Sequence, residues 1–166
     1  AALVLSAGSD RPAAQAPAGG VTALTNVRII DGTGAPAIER GTIVISNGRI
    51  TAAGANAQVP ANAARVDLAG KTVMPGMINA HAHVQHLTKS LPMRDDLVRR
   101  LRLYASYGVT TAVSLGQVNA EEQAEIIRLR NEQDKIALDR ARVYTSGPSS
   151  RGLKSTDEAR QMVNKY

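Results

Sequence analysis

The chain has 166 residues, 43% of them hydrophobic and 20% charged, which is typical of a soluble globular domain with a buried core. It contains no cysteine, so a disulfide scaffold, a thiolate zinc site, an iron–sulfur cluster and a cysteine nucleophile are all excluded. The net charge of +6 is spread thinly, phenylalanine and tryptophan are absent, and the apolar runs are short. We therefore expect no nucleic acid and no membrane among the partners.

Residues 1–20 differ in composition from the rest of the chain. A short apolar run over residues 1–8 precedes an Ala/Pro/Gly-rich stretch over residues 13–20. This order is typical of the end of a secretory signal, with Ala14-Gln15-Ala16 as its cleavage site. We expect a leader or linker here and a periplasmic or secreted protein. A disordered Ala/Pro-rich leader on a cytoplasmic protein is the alternative.

Residues 21–74 predict a small antiparallel β-sandwich portion. Their apolar and β-branched residues form short runs that are separated by turn residues. Asn47-Gly48 lies between two such runs, and Asn-Gly is the dipeptide most typical of a tight β-hairpin. Residues 65–68 and 71–74 predict another short pair of strands.

From Pro75-Gly76 onward, the pattern changes to strands that alternate with helices. This order predicts parallel strands joined by helical crossovers. The 92 residues from 75 to 166 correspond to three units of a (β/α)8 barrel, each of about 31 residues. The expected fold class is therefore α/β, the N-terminal part of a TIM-like barrel preceded by the β-sandwich portion. A self-contained three-stranded layer is the alternative. The expected strands cover residues 77–84, 109–115 and 142–146, and the expected helices cover residues 94–107, 119–135 and 155 onward.

The motif that carries chemistry is His81-Ala82-His83, at the end of the first of these strands. Side chains alternate along a strand, so His81 and His83 are expected on one face, with Ala80 and Ala82 on the other against a helix. Two imidazoles on one face can bind one metal ion such as Zn, Fe, Ni or Co. An ordinary hydrogen-bonded pair at a strand end is the alternative.

Other polar residues follow the strand ends. His86 comes three residues after His83 and is a candidate for a substrate contact or for support of the metal site, or else an ordinary loop histidine. Ser114, Gln117 and Ser146 are expected to line a substrate pocket. No residue is identified as the catalytic acid or base.

The chain resembles the amidohydrolase superfamily over nearly all of residues 21–166. The matching segments are residues 26–32, 48–50, 67–83 and 107–111, and the run Pro-Gly-Met-Ile-Asn-Ala-His-Ala-His that ends at His83 is the most specific. The likeness is strongest to the branch that contains imidazolonepropionases and Xaa-Pro-dipeptidase-like hydrolases.

This resemblance implies a metal-dependent hydrolase of C–N bonds in a small amide, cyclic amide or dipeptide. The implied cofactor is one or two divalent ions, expected to be zinc, on a distorted TIM barrel. Only His81 and His83 carry over as ligands, because the bridging lysine, two further histidines and the aspartate of the family have no counterpart in the 166 residues. We therefore expect an N-terminal fragment that is inactive alone, and a non-catalytic remnant is the alternative. Whether the protein forms a homo-oligomer stays an open question.

Overall fold

The computed structural model describes residues 2–5, 20–147 and 152–165. The expected cleavage site Ala14-Gln15-Ala16 lies outside these residues, so the leader hypothesis stays a prediction. The chain divides into two compact units, Ala1–Gly76 and Met77–Tyr166, each described below by itself. In the described part of the chain, every helix is too short or too polar to cross a bilayer.

The first unit is a six-stranded mixed sheet. Its strands are β1 (Ala2–Leu5), β2 (Val21–Ile29), β3 (Ile38–Ser46), β4 (Arg49–Gly54), β5 (Ala64–Asp67) and β6 (Thr72–Pro75). Five strands follow the order β1-β6-β2-β3-β4, and β5 also pairs with β2. The β2–β3, β3–β4 and β1–β6 pairs are antiparallel, whereas β5 and β6 both run parallel to β2.

The hairpin predicted at Asn47-Gly48 is confirmed. Both residues have positive φ angles, 50° and 73°, and they connect β3 to β4. This conformation is required by the two-residue turn whose twist matches that of the flanking strands. Asn and Gly are the residues that adopt it at least cost.

The purely antiparallel arrangement predicted for residues 21–74 is wrong, and so is the pairing of residues 65–68 with 71–74. Both segments pair with β2 instead, β5 along Thr22–Thr25 and β6 along Arg28–Ile29. Asn26 separates the two sites on β2 with a φ of 56°. The Leu68 N–H donates to the Thr25 carbonyl, and the Arg28 N–H donates to the Lys71 carbonyl. The chain therefore turns between β5 and β6 and returns to the same edge of β2. Apolar side chains of β2, β3, β6 and the residue that follows β5 form the unit's core, which includes Leu24, Val27, Ile29, Ile43, Leu68 and Val73.

The second unit is a parallel three-stranded sheet, β7-β8-β9, with helical connections between its strands. The α/β class and the three alternating units are confirmed in this part of the chain. Its elements are β7 (Met77–Ala82), α1 (Met93–Ser106), β8 (Val109–Ser114), α2 (Ala120–Glu132), β9 (Arg142–Thr145) and α3 (Thr156–Lys165).

Helices α1 and α2 cover one face of this sheet. Leu97 and Leu101 of α1 and Ile126 and Leu129 of α2 are fully buried, at the spacing of one helical stripe. They pack against sheet residues that include Ala82, Ala112 and Val143. The two helices are further joined by Arg94, whose guanidinium bonds to Glu125 at 2.7 Å and to Glu132 at 2.6 Å. One face of this sheet is thus covered by helices, and the His81–His83 pair lies at the end of β7.

Candidate metal centre

His81 and His83 lie together at the carboxyl end of β7. Both side chains are exposed, and their ring centroids are 5.4 Å apart with an angle of 71° between the ring planes. A ring nitrogen lies about 1.1 Å from its centroid, so an ion bound at about 2.0–2.1 Å with tetrahedral angles would hold two centroids roughly 5 Å apart. The observed spacing fits two ligands of one ion.

The ring of His83 is oriented by a backbone carbonyl. Its Nδ1 lies 2.9 Å from the carbonyl oxygen of Leu115, which follows β8. A carbonyl oxygen only accepts hydrogen bonds, so Nδ1 is the donor, and the lone pair of the neutral imidazole is then on Nε2. Metal-binding histidines are commonly oriented in this way.

Strand β7 is irregular at the first of these two histidines. Asn79 is in register with Ala112 and Ala82 with Ser114, so three steps along β7 match two steps along β8. Ala80 and His81 therefore form a β-bulge without register partners on β8. The His81 N–H donates to Asn79 Oδ1 at 3.1 Å. Ala82 is buried as expected, but Ala80 is exposed, because the bulge interrupts the alternation on which that expectation was based.

His86 lies in the loop after β7, against acidic side chains. Its backbone N–H donates to Glu122 Oε2 at 2.7 Å, and its Nδ1 lies 3.5 Å from Asp96 Oδ2. The side chain of His86 is only 11% exposed. This position suits support of the loop better than contact with a substrate.

Asp96, in the first turn of α1, holds the same loop. Its buried carboxylate accepts the N–H groups of Leu87 and Thr88, both at 2.9 Å, and bonds to Arg99 and Arg100. Burial raises the pKa of Asp96, but these donors outweigh it and hold the pKa far below its usual range. The carboxylate is therefore ionised at all physiological pH values.

The prediction that Ser114 and Gln117 line a substrate pocket is wrong. Their exposed fractions are 0% and 1%, and the Gln117 amide donates to Ser114 Oγ at 2.7 Å. The Gln117 carbonyl in turn accepts from Thr145 Oγ1 at 2.7 Å, and Ser114 Oγ accepts the Val84 N–H at 2.9 Å. The ends of the three strands are thus tied by buried polar groups. Ser146 is exposed beyond β9.

The residues that support the histidines were mostly missed from the sequence. The Leu115 carbonyl has no sequence signal, because its role depends on which strand lies beside β7. Asn79 did have a sequence signal, since Asn side chains often accept the N–H two residues further on. Glu122 is the third residue after the helix cap Asn119, a position typical of a capping glutamate. Its carboxylate instead accepts the N–H groups of Val118 and His86.

The described residues do not complete a metal site. Residues 2–5, 20–147 and 152–165 contain no group of three or more His, Asp or Glu placed to hold one ion. Catalytic zinc sites use three protein ligands and keep one position for water. His81 and His83 therefore fit part of such a site.

No family model matches the chain. It is 32% identical over 94 residues to a deacetylase of Agrobacterium fabrum, a match that covers 56% of this chain and 22% of that protein. It is 34% identical over 61 residues to an imidazolonepropionase of Mycolicibacterium smegmatis, which covers 37% of this chain and 15% of that protein. The chain spans less than a quarter of the length of these curated relatives.

Solved structures match over more of the chain. A protein assigned as a prolidase from Bifidobacterium longum superposes with a TM-score of 0.71 at 28% identity, over 90% of this chain and 38% of that one. Other matching structures include an amidohydrolase, with a TM-score of 0.62 at 22% identity over 78% of this chain and 32% of that one. An enamidase described as a member of the amidohydrolase superfamily has a TM-score of 0.52 at 25% identity over 87% of this chain and 40% of that one. By sequence and by fold, this chain is related to the amidohydrolase superfamily, whose members it matches over less than half of their length.

Proposed function

We propose that the chain is part of a metal-dependent hydrolase of C–N bonds in small amides, cyclic amides or dipeptides. The observation that carries the proposal is the His81–His83 pair, with ring centroids 5.4 Å apart and His83 Nδ1 bound to the Leu115 carbonyl. The related proteins support the substrate class, since they include a deacetylase, an imidazolonepropionase and an assigned prolidase. The resemblance to the amidohydrolase superfamily implies metal dependence.

In this proposal, Nε2 of His83 and one ring nitrogen of His81 hold a divalent cation, with zinc as the expected ion. The chemistry that such an ion supplies is polarisation of a carbonyl and a lowered pKa of water. The chain's own residues orient the ligands. Leu115 fixes the ring of His83, while Asp96 and Glu122 hold the loop that follows the pair.

We infer that the remaining ligands and the general base lie in sequence outside these 166 residues. Two protein ligands are fewer than catalytic zinc sites use. The match to the solved prolidase-like chain covers 38% of that chain, so most of a complete hydrolase is unaccounted for. The three-stranded sheet would then be the first part of a (β/α)8 barrel.

The test is hydrolysis by the longest polypeptide that contains this chain, beside the 166-residue chain itself. N-acetylated amino acids, imidazolones and Xaa-Pro dipeptides are the substrates, and bound metal is measured by mass spectrometry. We expect turnover only in the longer polypeptide, with His81→Ala and His83→Ala each lowering metal content and turnover at least 100-fold. His86→Ala is the matched control and should retain bound metal. Turnover that survives both substitutions would contradict the proposal.

The same experiment separates the alternative, a non-catalytic module that keeps the scaffold. The described residues hold no third ligand, which is the observation that favours this alternative. A longer polypeptide that folds, lacks bound metal and cleaves none of these substrates would support it.

A further inference from the structure

Asn79 lies where the β7–β8 pairing slips, two residues before His81. It is in register with Ala112, and Ala112 is fully buried on the face that α1 and α2 cover. Residues that are paired in neighbouring strands lie on the same face of a sheet. The Asn79 position therefore belongs to the helix-covered face.

Regular alternation from Asn79 would carry the histidines to the wrong face. Residues 79, 81 and 83 share a face in a regular strand, so His81 and His83 would both point into the layer of α1 and α2. The bulge at Ala80 and His81 prevents this. After the bulge, Ala82 is in register with the buried Ser114 and takes the helix-covered face, and His81 and His83 are exposed together.

The bulge leaves the His81 N–H outside the register with β8. A backbone N–H without an acceptor is costly, and the strand would gain by slipping back into regular pairing. Asn79 Oδ1 accepts this N–H at 3.1 Å. The side chain therefore provides an acceptor for the backbone donor of the first proposed ligand.

We propose that Asn79 is a positioning residue for the metal centre. Its hydrogen bond to the His81 N–H stabilises the bulge that turns both imidazoles away from the helices. This role rests on the proposed function, because it concerns the orientation of the proposed ligands. Asn79 touches neither the ion nor the substrate in this account.

The test is zinc affinity of the longest polypeptide that contains this chain, measured by following the Cε1–H NMR signals of His81, His83 and His86 during a zinc titration. Asn79→Ala removes the acceptor and should weaken zinc binding at least tenfold, the usual scale for residues that orient ligands. Asn79→Asp keeps an acceptor oxygen at the same position and should bind zinc at least as tightly as the unaltered chain.

Asp31→Ala is the matched control. Asp31 Oδ1 accepts the N–H of Thr33 at 2.9 Å, the same bond over the same two-residue spacing, in the first unit. This variant should leave zinc affinity unchanged within twofold. A merely structural effect of losing such a bond would appear in both variants as a lowered unfolding midpoint, but only Asn79→Ala should change zinc affinity.

The outcomes are separable. If the unaltered chain binds zinc at His81 and His83 and Asn79→Ala binds it equally well, the positioning role is overturned and the metal centre stands. If the longest polypeptide that contains this chain shows no zinc at these histidines, the metal centre is overturned and the positioning role with it. Should Asn79→Ala fail to fold, amide hydrogen exchange in the unaltered chain decides. The His81 N–H should exchange at least tenfold more slowly than an unstructured amide, and exchange at the unstructured rate would overturn the role.

Discussion

Asp96 shows how one buried side chain shapes the loop that follows the proposed metal ligands. Two backbone N–H groups and two guanidinium groups converge on its carboxylate, which has no exposed surface. A charge in such a position is tolerated only when its donors are all in place. The loop from His83 to α1 is therefore fixed by a residue that makes no contact with a metal in our account.

The lowered pKa of Asp96 predicts acid sensitivity. In the unfolded chain an aspartate has a pKa of about 3.9, whereas the folded pKa lies well below it. The folded state thus binds fewer protons, and its extra stability is complete above about pH 5 and is lost as the pH falls below about 4. The pKa values of Glu125, Glu132 and Asp139 are also lowered, and these groups act in the same direction.

Urea unfolding of the unaltered chain and of Asp96→Asn between pH 7 and pH 2 measures this effect. At pH 7 the variant should be less stable by about 1–3 kcal/mol, because a neutral amide replaces a carboxylate with four donors. The difference between the two free energies of unfolding should shrink steadily as the pH falls from about 5 to about 2. Asp157→Asn is the control, since the Asp157–Arg160 pair is exposed and should change stability by less than about 0.5 kcal/mol. If the free energies of unfolding of the unaltered chain and of Asp96→Asn differed by the same amount at every pH, this role of Asp96 in the loop would be contradicted.

Among the elements, those with local signals were predictable from the sequence. Asn47-Gly48 specifies its own turn, and Asn119 caps α2 by accepting the Glu122 N–H at 2.9 Å. The pairing of β5 and β6 with β2 was not predictable, because it depends on the positive φ of Asn26 and on contacts between residues about 40 positions apart. The bulge at Ala80 and His81 was not predictable either, because strand register is set by the neighbouring strand.

The hairpin gives a prediction at this scale. Gly48 has a φ of 73° and a Cβ added there would meet no atom within 4 Å, so Gly48→Ala tests backbone conformation alone. We expect a loss of about 1 kcal/mol in the free energy of unfolding, the usual cost of a left-handed conformation for alanine. Asn47→Gly, at a φ of 50°, should change stability by less than about 0.5 kcal/mol. Equal effects of the two substitutions in urea unfolding would argue against this turn.

At the scale of the whole chain, the likeness to known hydrolases and the metal motif agree. The sequence motif identified the two candidate ligands, and the structure brings them together at one strand end. Alternation along the strand predicted correctly that the two histidines share a face. It could not reveal the bulge that places them on the face opposite the helices. Nor could it reveal the Leu115 carbonyl that fixes the ring of His83. The candidate ligand set is partial in the described residues, in keeping with a match that covers 38% of the solved prolidase-like chain.

The most direct test of the central claim uses the chain's three histidines as their own controls. Zinc is added at pH 7 to the longest polypeptide that contains this chain, and the Cε1–H signals of His81, His83 and His86 are followed by NMR, with His81→Ala and His83→Ala for assignment. The account predicts that the His81 and His83 signals shift together with one dissociation constant, that His86 shifts far less, and that either substitution weakens binding at least tenfold. A zinc-dependent shift centred on His86, or no shift at His81 and His83, would contradict the claim that this pair is the beginning of a metal centre.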